Sequence, residues 1–238
     1  MLSFKINLVR QRLNYLAYGN FHGVSANWLA KKCDRLSPSA TRLICDWVYL
    51  NDLEEKHLEE GAQIFLNVLS SKSGSNYGKN FDCEVGLASF LYAFILARKP
   101  RLVIETGVAN GITTNVIMSA LEKSGGTLHS FDVDPKTSNV YSGVGNWHFH
   151  LLSGNLQKDL IEQVGAIPEI DLWLHDSNHG YLWQSFEYQL AKSVLKTNGI
   201  LVSDDIDSST AWGLSADSLF KESYGVFDER KLFGVARI

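Results

Sequence analysis

Three aspartates and one histidine in the second half of the chain, Asp176, His179, Asp204 and Asp205, have the spacing to meet at one place. Asp176 closes the apolar run IDLWLHD, and Asp204-Asp205 close GILVSDD. If both runs are parallel strands, their ends are neighbours on the ligand-binding edge of the sheet. Carboxylates gathered there repel one another, at roughly 4 kcal/mol per pair at 4 Å and an effective dielectric near 20. A divalent cation relieves that repulsion, and an all-oxygen ligand set of Asp176, Asp204 and Asp205 favours a hard ion such as Mg²⁺. His179 would then be a neutral base at working pH, its reference pKa being about 6.5. Plainer readings compete: the aspartates as helix caps and exposed strand ends, and His179 as a hydrogen bonder holding the Asp176 loop. His175, inside its strand, reads as a packed core histidine, and so do His148 and His150.

The elements that must carry these residues begin at Leu102–Thr114, LVIETGVANGITT. An apolar run ends at Glu105, a loop with Gly107 and Gly111 follows, and apolar residues then recur at helical spacing until Gly125-Gly126. A second strand, TLHSFDV, ends at Asp132. Strand, glycine turn and helix place a ligand at the strand's carboxyl end, where the backbone can approach closely and helix N–H groups point outward. A carboxylate at the second strand end suits a ribose diol, because it accepts from hydroxyls. The loop lacks the G-x-G-x-x-G of dinucleotide sites and the Gly-Lys-Ser/Thr of a P-loop. Its G-x-x-x-G spacing suits a nucleoside without phosphates.

From Pro100 onward strands and helices alternate. Strands are expected at 102–106, 127–133, 148–153, 170–175 and 199–204, with helices at about 112–123, 156–164 and 181–196. Asn198-Gly199 is expected to stop the last of these. A helix around 211–222 precedes two final strands joined at Asp228-Glu229-Arg230, an antiparallel ending. The fold class is therefore α/β, a doubly wound, mostly parallel seven-stranded sheet with an antiparallel C-terminal strand, spanning residues 81–238. Residues 1–80 read as a helical N-terminal extension, with amphipathic stretches at 4–18, 40–50 and 54–69 and a helix start at Ser37-Pro38-Ser39. Trp28, Trp47 and Tyr49 would pack it onto the main domain. The polar stretch 70–80 is either a plain connection or a lid over the cofactor, with Tyr77 its key residue. It leads into a helix at 85–98.

The motif ETGVANG with FDVDP resembles motif I and the ribose-binding strand end of class I S-adenosylmethionine-dependent methyltransferases. D-x-x-H at 176–179 with the Asp204-Asp205 pair is similar to metal-dependent O-methyltransferases of the catechol type, except that His179 stands where they carry a lysine. DSNHGY followed by a helix with Glu187 resembles the sugar and antibiotic branch, which includes macrolide-sugar and cephalosporin-hydroxylase-like proteins. The resemblance implies S-adenosylmethionine held by Glu105, Gly107, Val108, Ala109, Asn110, Gly111, Thr113, Asp132, Asn155, Leu156 and Asp176. Asn155 and Leu156 would flank the adenine, and Glu105 would organise the glycine loop and the methionine end. It implies catalysis by His179 and Asp176, a Mg²⁺ at Asp176, Asp204 and Asp205, and a small-molecule or sugar hydroxyl as acceptor.

Composition narrows the field. A net charge of −4 leaves no basic footprint for nucleic acid. Cys33, Cys45 and Cys83 are odd in number and form no C-x-x-C pair, so neither a zinc site nor a disulfide framework is favoured. Lys5, Arg10 and Arg12 break the N-terminal apolar residues, and no stretch is long enough for a bilayer span. A cytoplasmic enzyme with no membrane partner is expected, and the N-terminal helices could build a homo-oligomer contact. Two other functions stay open. A nicotinamide oxidoreductase is disfavoured by the glycine spacing and the antiparallel tail. A non-catalytic methyltransferase-fold binding module is disfavoured by the intact loop and strand-end acids. Trp183 and Trp212 either wall a ring-shaped acceptor or pack the core.

Overall fold

The apolar runs of the second half line up as strands of one sheet, covered by helices on both faces. This computed structural model describes residues 33–35, 55–71, 77, 82–216, 218–228 and 231–238. The expected helices at 4–18 and 40–50, the start at 37–39, Trp28, Trp47, Tyr49, Cys45 and most of the 70–80 stretch lie outside them. The strands are β1 (Cys33–Arg35), β2 (Leu102–Thr106), β3 (Thr127–Asp132), β4 (Asn146–Leu151), β5 (Ile170–His175), β6 (Leu195–Ser203), β7 (Glu222–Phe227) and β8 (Leu232–Arg237). The helices are α1 (Glu55–Ser71), α2 (Val85–Arg98), α3 (Ile112–Ser124), α4 (Leu156–Gly165), α5 (Tyr181–Val194) and α6 (Ala211–Ala216).

The sheet order is β1-β7-β8-β6-β5-β2-β3-β4. All neighbours run parallel except β8, which is antiparallel to both β6 and β7. The seven expected strands are present, with the antiparallel ending, and β1 adds a three-residue edge beside β7. Because β3 and β4 extend one way from β2 while β5 and β6 extend the other, the order reverses between β2 and β5. A crevice for a ligand opens at such a switch point.

Each central strand feeds two cores, which explains its unbroken apolar run. Val103, Leu128, Leu172 and Val202 pack with Leu58, Phe65, Leu87, Leu91 and Val116 from α1, α2 and α3. Ile104, Phe131, Trp173 and Leu201 pack with Leu160, Tyr188 and Trp212 from α4, α5 and α6. Helix α2 is apolar nearly all round because sheet and helices enclose it, with every residue of Leu87–Ile95 buried except the half-buried Ser89. Its first N–H groups are capped from far along the chain. Asp228 accepts from Gly86 N–H (3.1 Å) and Leu87 N–H (2.8 Å).

Some boundaries differ from expectation. The helix expected to reach 222 ends at Ala216, because Glu222 already pairs with Arg237. Asn198-Gly199 does not stop α5, which ends at Val194. Asn198, left-handed at φ 65°, instead turns the chain within β6. There, Ile170 pairs with Leu195 while Leu172 pairs with Ile200, so extra β6 residues bulge out. The strand expected at 148–153 starts at Asn146, opposite Thr127.

The histidines of β3 and β4 are not core residues. His129 stacks between His148 and His150 (centroids 4.9 and 5.1 Å), and its Nδ1 lies 2.9 Å from His150 Nε2. Burial, then the two neighbouring rings, push His129 down to about 4. Unfolding returns it toward about 6.5, so the unfolded chain binds more protons between those values. Stability contributed by this group is therefore present above the unfolded value and lost as pH falls toward 4. Melting curves across that window should show wild type losing more stability than His129→Gln; equal losses would refute the assignment.

Candidate active site

Hydrogen bonds beyond the strand ends hold four segments in register along the carboxyl edge of the sheet. Gly107 N–H donates to Phe131 O (2.8 Å), Asp176 N–H to Thr106 O (2.8 Å), and Asp204 N–H to His175 O (2.9 Å). Asp132, the glycine loop, Asp176 and Asp204 thus stand side by side at the switch point.

The loop is organised by two carboxylates. Glu105 is fully buried and accepts from the hydroxyls of Thr113 (2.6 Å), Thr114 (2.8 Å) and Ser130 (2.6 Å). Burial raises its pKa, and the three hydroxyls oppose that rise. It clamps β2, the start of α3 and β3 together, and it takes up the hydroxyl of Thr113. Asp132 accepts from Val108 N–H (2.7 Å) and Ala109 N–H (3.2 Å) through Oδ2, and from Asp134 N–H (2.8 Å) through Oδ1. An ionised carboxylate offers about four acceptor positions, so one remains for a ribose hydroxyl. Gly107 (φ 86°) and Gly111 (φ 69°) are both left-handed, and a Cβ on Gly107 would stand 2.1 Å from Asp176 O. Asn110 donates to Asp82 (2.8 Å) and to Tyr77 O (3.2 Å), while Tyr77 O–H donates to Asp134 (2.8 Å). Tyr77, the residue expected to matter in the 70–80 stretch, therefore binds both the loop and the turn after β3.

Across the crevice lies the acidic group, with a partner that the motifs did not reveal. Lys231 Nζ is 3.1 Å from Asp204 Oδ2 and 3.1 Å from Asp205 Oδ2. Burial pulls the Lys231 pKa down, but Asp204, Asp205 and Asp176 push it up further. Asp205 is pushed up to about 7 by burial and by Asp204, against Lys231. Burial and then Asp204 also raise Asp176. His179 Nε2 lies 3.5 Å from Asp205 Oδ2 and 3.9 Å from Asp176 Oδ1. Burial and then His175 push His179 down to about 4, so its imidazole is neutral at neutral pH. The expected His179–acid grouping is therefore formed.

Behind it lies a second network. Glu187 of α5 is fully buried and accepts from Thr106 Oγ1, His175 Nδ1 (2.8 Å), Ser177 Oγ (2.6 Å) and Trp183 Nε1. Burial alone would raise its pKa, but His175 and these hydrogen bonds outweigh that and lower it. His175 is buried, as expected, yet it is a hydrogen-bond partner of Glu187 rather than a passive packing residue. Its ring meets His179 edge-on at 5.4 Å, so the network supports the imidazole above it.

Other expected residues have definite places. Asn155 is the N-cap of α4, its side chain accepting from Lys158 N–H, and Leu156 begins that helix. Trp212 is fully buried against Tyr188 and Phe220, so it packs the core. Trp183 is partly buried and tied to Glu187.

The residues as placed do not fit the expected Mg²⁺. Among the described residues, no group of three or more His, Cys, Asp or Glu could hold a metal ion. Two of the three aspartates instead share the Lys231 ammonium.

Residues 104–206 match the family described as a methyltransferase domain. No curated protein matches the chain in sequence. Among solved structures it is similar to the O-methyltransferase from Bacillus cereus in complex with S-adenosylhomocysteine, at 12% identity and a TM-score of 0.53, covering 84% of this chain and 97% of that one. It is also similar to TomG from Streptomyces achromogenes, involved in tomaymycin synthesis and bound to S-adenosylmethionine (11% identity, TM-score 0.54, 84% and 96% covered). A third is the methyltransferase PaMTH1 of Podospora anserina, bound to S-adenosylhomocysteine (11%, 0.54, 86% and 98%). The domain match runs from β2 to just past the end of β6, and the fold is similar to that of these methyltransferases. Among the described residues no helix is long and apolar enough to cross a membrane.

Proposed function

We propose that the protein transfers the methyl group of S-adenosylmethionine to a hydroxyl of a small molecule or sugar, in the cytoplasm. The observation carrying this reading is the two-sided edge: a glycine loop closed onto Asp132 on one side, and neutral His179 among Asp176, Asp205 and Lys231 on the other. Bound there, the cofactor supplies a methyl group on a positively charged sulfur. Asp132 and the loop would orient the nucleoside, and Asp176, at the junction of both halves, would align the acceptor. His179 would take the hydroxyl proton as the O–C bond forms and the S–C bond breaks. Charge balances, since the sulfonium becomes a neutral thioether as imidazolium appears. Alignment and exclusion of water supply most of such a rate enhancement. The oxygen acceptor draws support from two of the similar structures above, which are described as O-methyltransferases. The expected Mg²⁺ takes no part in this reading.

Calorimetric titration with S-adenosylhomocysteine should show micromolar binding, and NAD⁺ should show none. Asp132→Ala removes an acceptor and strands two loop N–H groups and that of Asp134, so affinity should fall by roughly 100-fold, given about 1–3 kcal/mol for each such loss. Unchanged affinity would remove Asp132 from the ribose role. If neither nucleoside binds wild type, the fold serves as a non-catalytic binding module.

A further inference from the structure

Crowded carboxylates ask for a cation, and here the fold delivers one from its own chain. β8 is antiparallel to β6, with Ser203 opposite Gly234, so the residues just before β8 lie where β6 ends. Lys231 therefore arrives beside Asp204 and Asp205. Its side chain is 13% exposed and that of Asp204 3%, so the contact is mostly sheltered from water. Lysine is a compact point charge with three N–H donors. Two of them are within hydrogen-bond distance of Asp204 and Asp205, both at 3.1 Å. His179 Nε2 approaches the same Asp205 oxygen at 3.5 Å, so ammonium and imidazole flank one carboxylate at the crevice.

We propose that Lys231 is the resident cation of the acceptor site, so that the acceptor hydroxyl is received by the third Lys231 N–H beside His179 rather than by a divalent ion. The inference rests on the methyl-transfer reading for what the site receives. Its claim about the cation stands apart from that reading. The ammonium lowers the cost of negative charge on the attacking oxygen, as a metal would, but as a hydrogen-bond donor. Asp204 and Asp205 fix its position, and Asp176 stays beside it as the third acid.

Calorimetric titration of the full chain with Mn²⁺ tests this without any acceptor. Wild type should show no stoichiometric Mn²⁺ binding up to millimolar concentration. Lys231→Met keeps an unbranched side chain, one atom shorter, but removes the charge, so the vacated acids should bind Mn²⁺ at least about 100-fold more tightly than wild type does. Lys231→Arg, which keeps a cation, should stay near wild type. S-adenosylhomocysteine binding, measured on each variant, should be unchanged and shows that the variant is folded. Stoichiometric Mn²⁺ binding by wild type would overturn the proposal, whatever the variants do. So would a Lys231→Met protein that binds S-adenosylhomocysteine normally and gains no Mn²⁺ site. Failure of the methyl-transfer reading would appear separately, as wild type that binds no S-adenosylhomocysteine.

Discussion

Gly107→Ala is expected to lower S-adenosylhomocysteine affinity by at least about 100-fold and to lower the melting temperature as well. The new Cβ would stand 2.1 Å from Asp176 O, 2.6 Å from its carbonyl carbon and 2.8 Å from Ser177 Cα. All three are backbone atoms, so no side chain can swing away. The left-handed backbone adds roughly 1 kcal/mol or more of its own. Gly107 N–H is meanwhile tied to Phe131 O, so the loop cannot retreat without loosening from β3. The clash falls where the glycine loop meets the end of β5, and both should shift. Gly125→Ala is the control. It too is left-handed (φ 82°) but has nothing within 4 Å of the added atom, so only the backbone cost applies. Calorimetry and thermal denaturation of the two variants decide the matter. If Gly107→Ala binds like wild type, the loop is not where the cofactor sits.

Glu187→Ala should destabilise the fold more than any other single change at the site, by about 3–5 kcal/mol at neutral pH. It removes the acceptor shared by His175, Thr106, Ser177 and Trp183, leaving Trp183 only Ser177 Oγ and Thr106 only the Leu174 carbonyl. For a chain of this length that corresponds to a drop on the order of 10 °C in melting temperature. Because the folded Glu187 pKa is depressed, its contribution holds above about 4.5 and fades as pH falls through the lower folded value. The gap between wild type and variant should accordingly narrow in acid. Chemical denaturation at neutral pH measures the loss, and a value under about 1 kcal/mol would mean that the donors find other partners.

Much of this arrangement was legible because it is local. LVIETGVANGITT carries strand, turn and helix in one stretch, and TLHSFD, IDLWLHD and GILVSDD each end an apolar run with an acid. Parallel strands put all such ends on one edge, so Asp132, Asp176 and Asp204 could be placed together from order alone. What escaped the reading was long-range. Lys231 is 26 residues from Asp205, in a stretch that reads only as the start of a last strand. The signal was nevertheless available: an antiparallel last strand must begin at the edge where the parallel strands end, so a charge at its start belongs to the site. His175 looked passive because its strand position points it into the core, and its partner Glu187 sits on a different element. The β6 bulge and the early end of α6 depend on pairing register, which helical or strand periodicity does not encode.

Asp228 and Lys231 also bear on the order in which the protein is made. Synthesis runs from the amino end, and residues already emerged can fold while the remainder is added at about 5–20 residues per second. Helix α2 emerges long before Asp228, the side chain that caps its first turn. Asp204 and Asp205 likewise emerge before Lys231, which neutralises them. Until those two residues leave the ribosome, a nascent chain with β2 to β6 in place would carry an uncapped apolar helix and uncompensated acids. Asp228 and Lys231 therefore act together as a latch, closing the helix layer and the acidic cluster in the same late step.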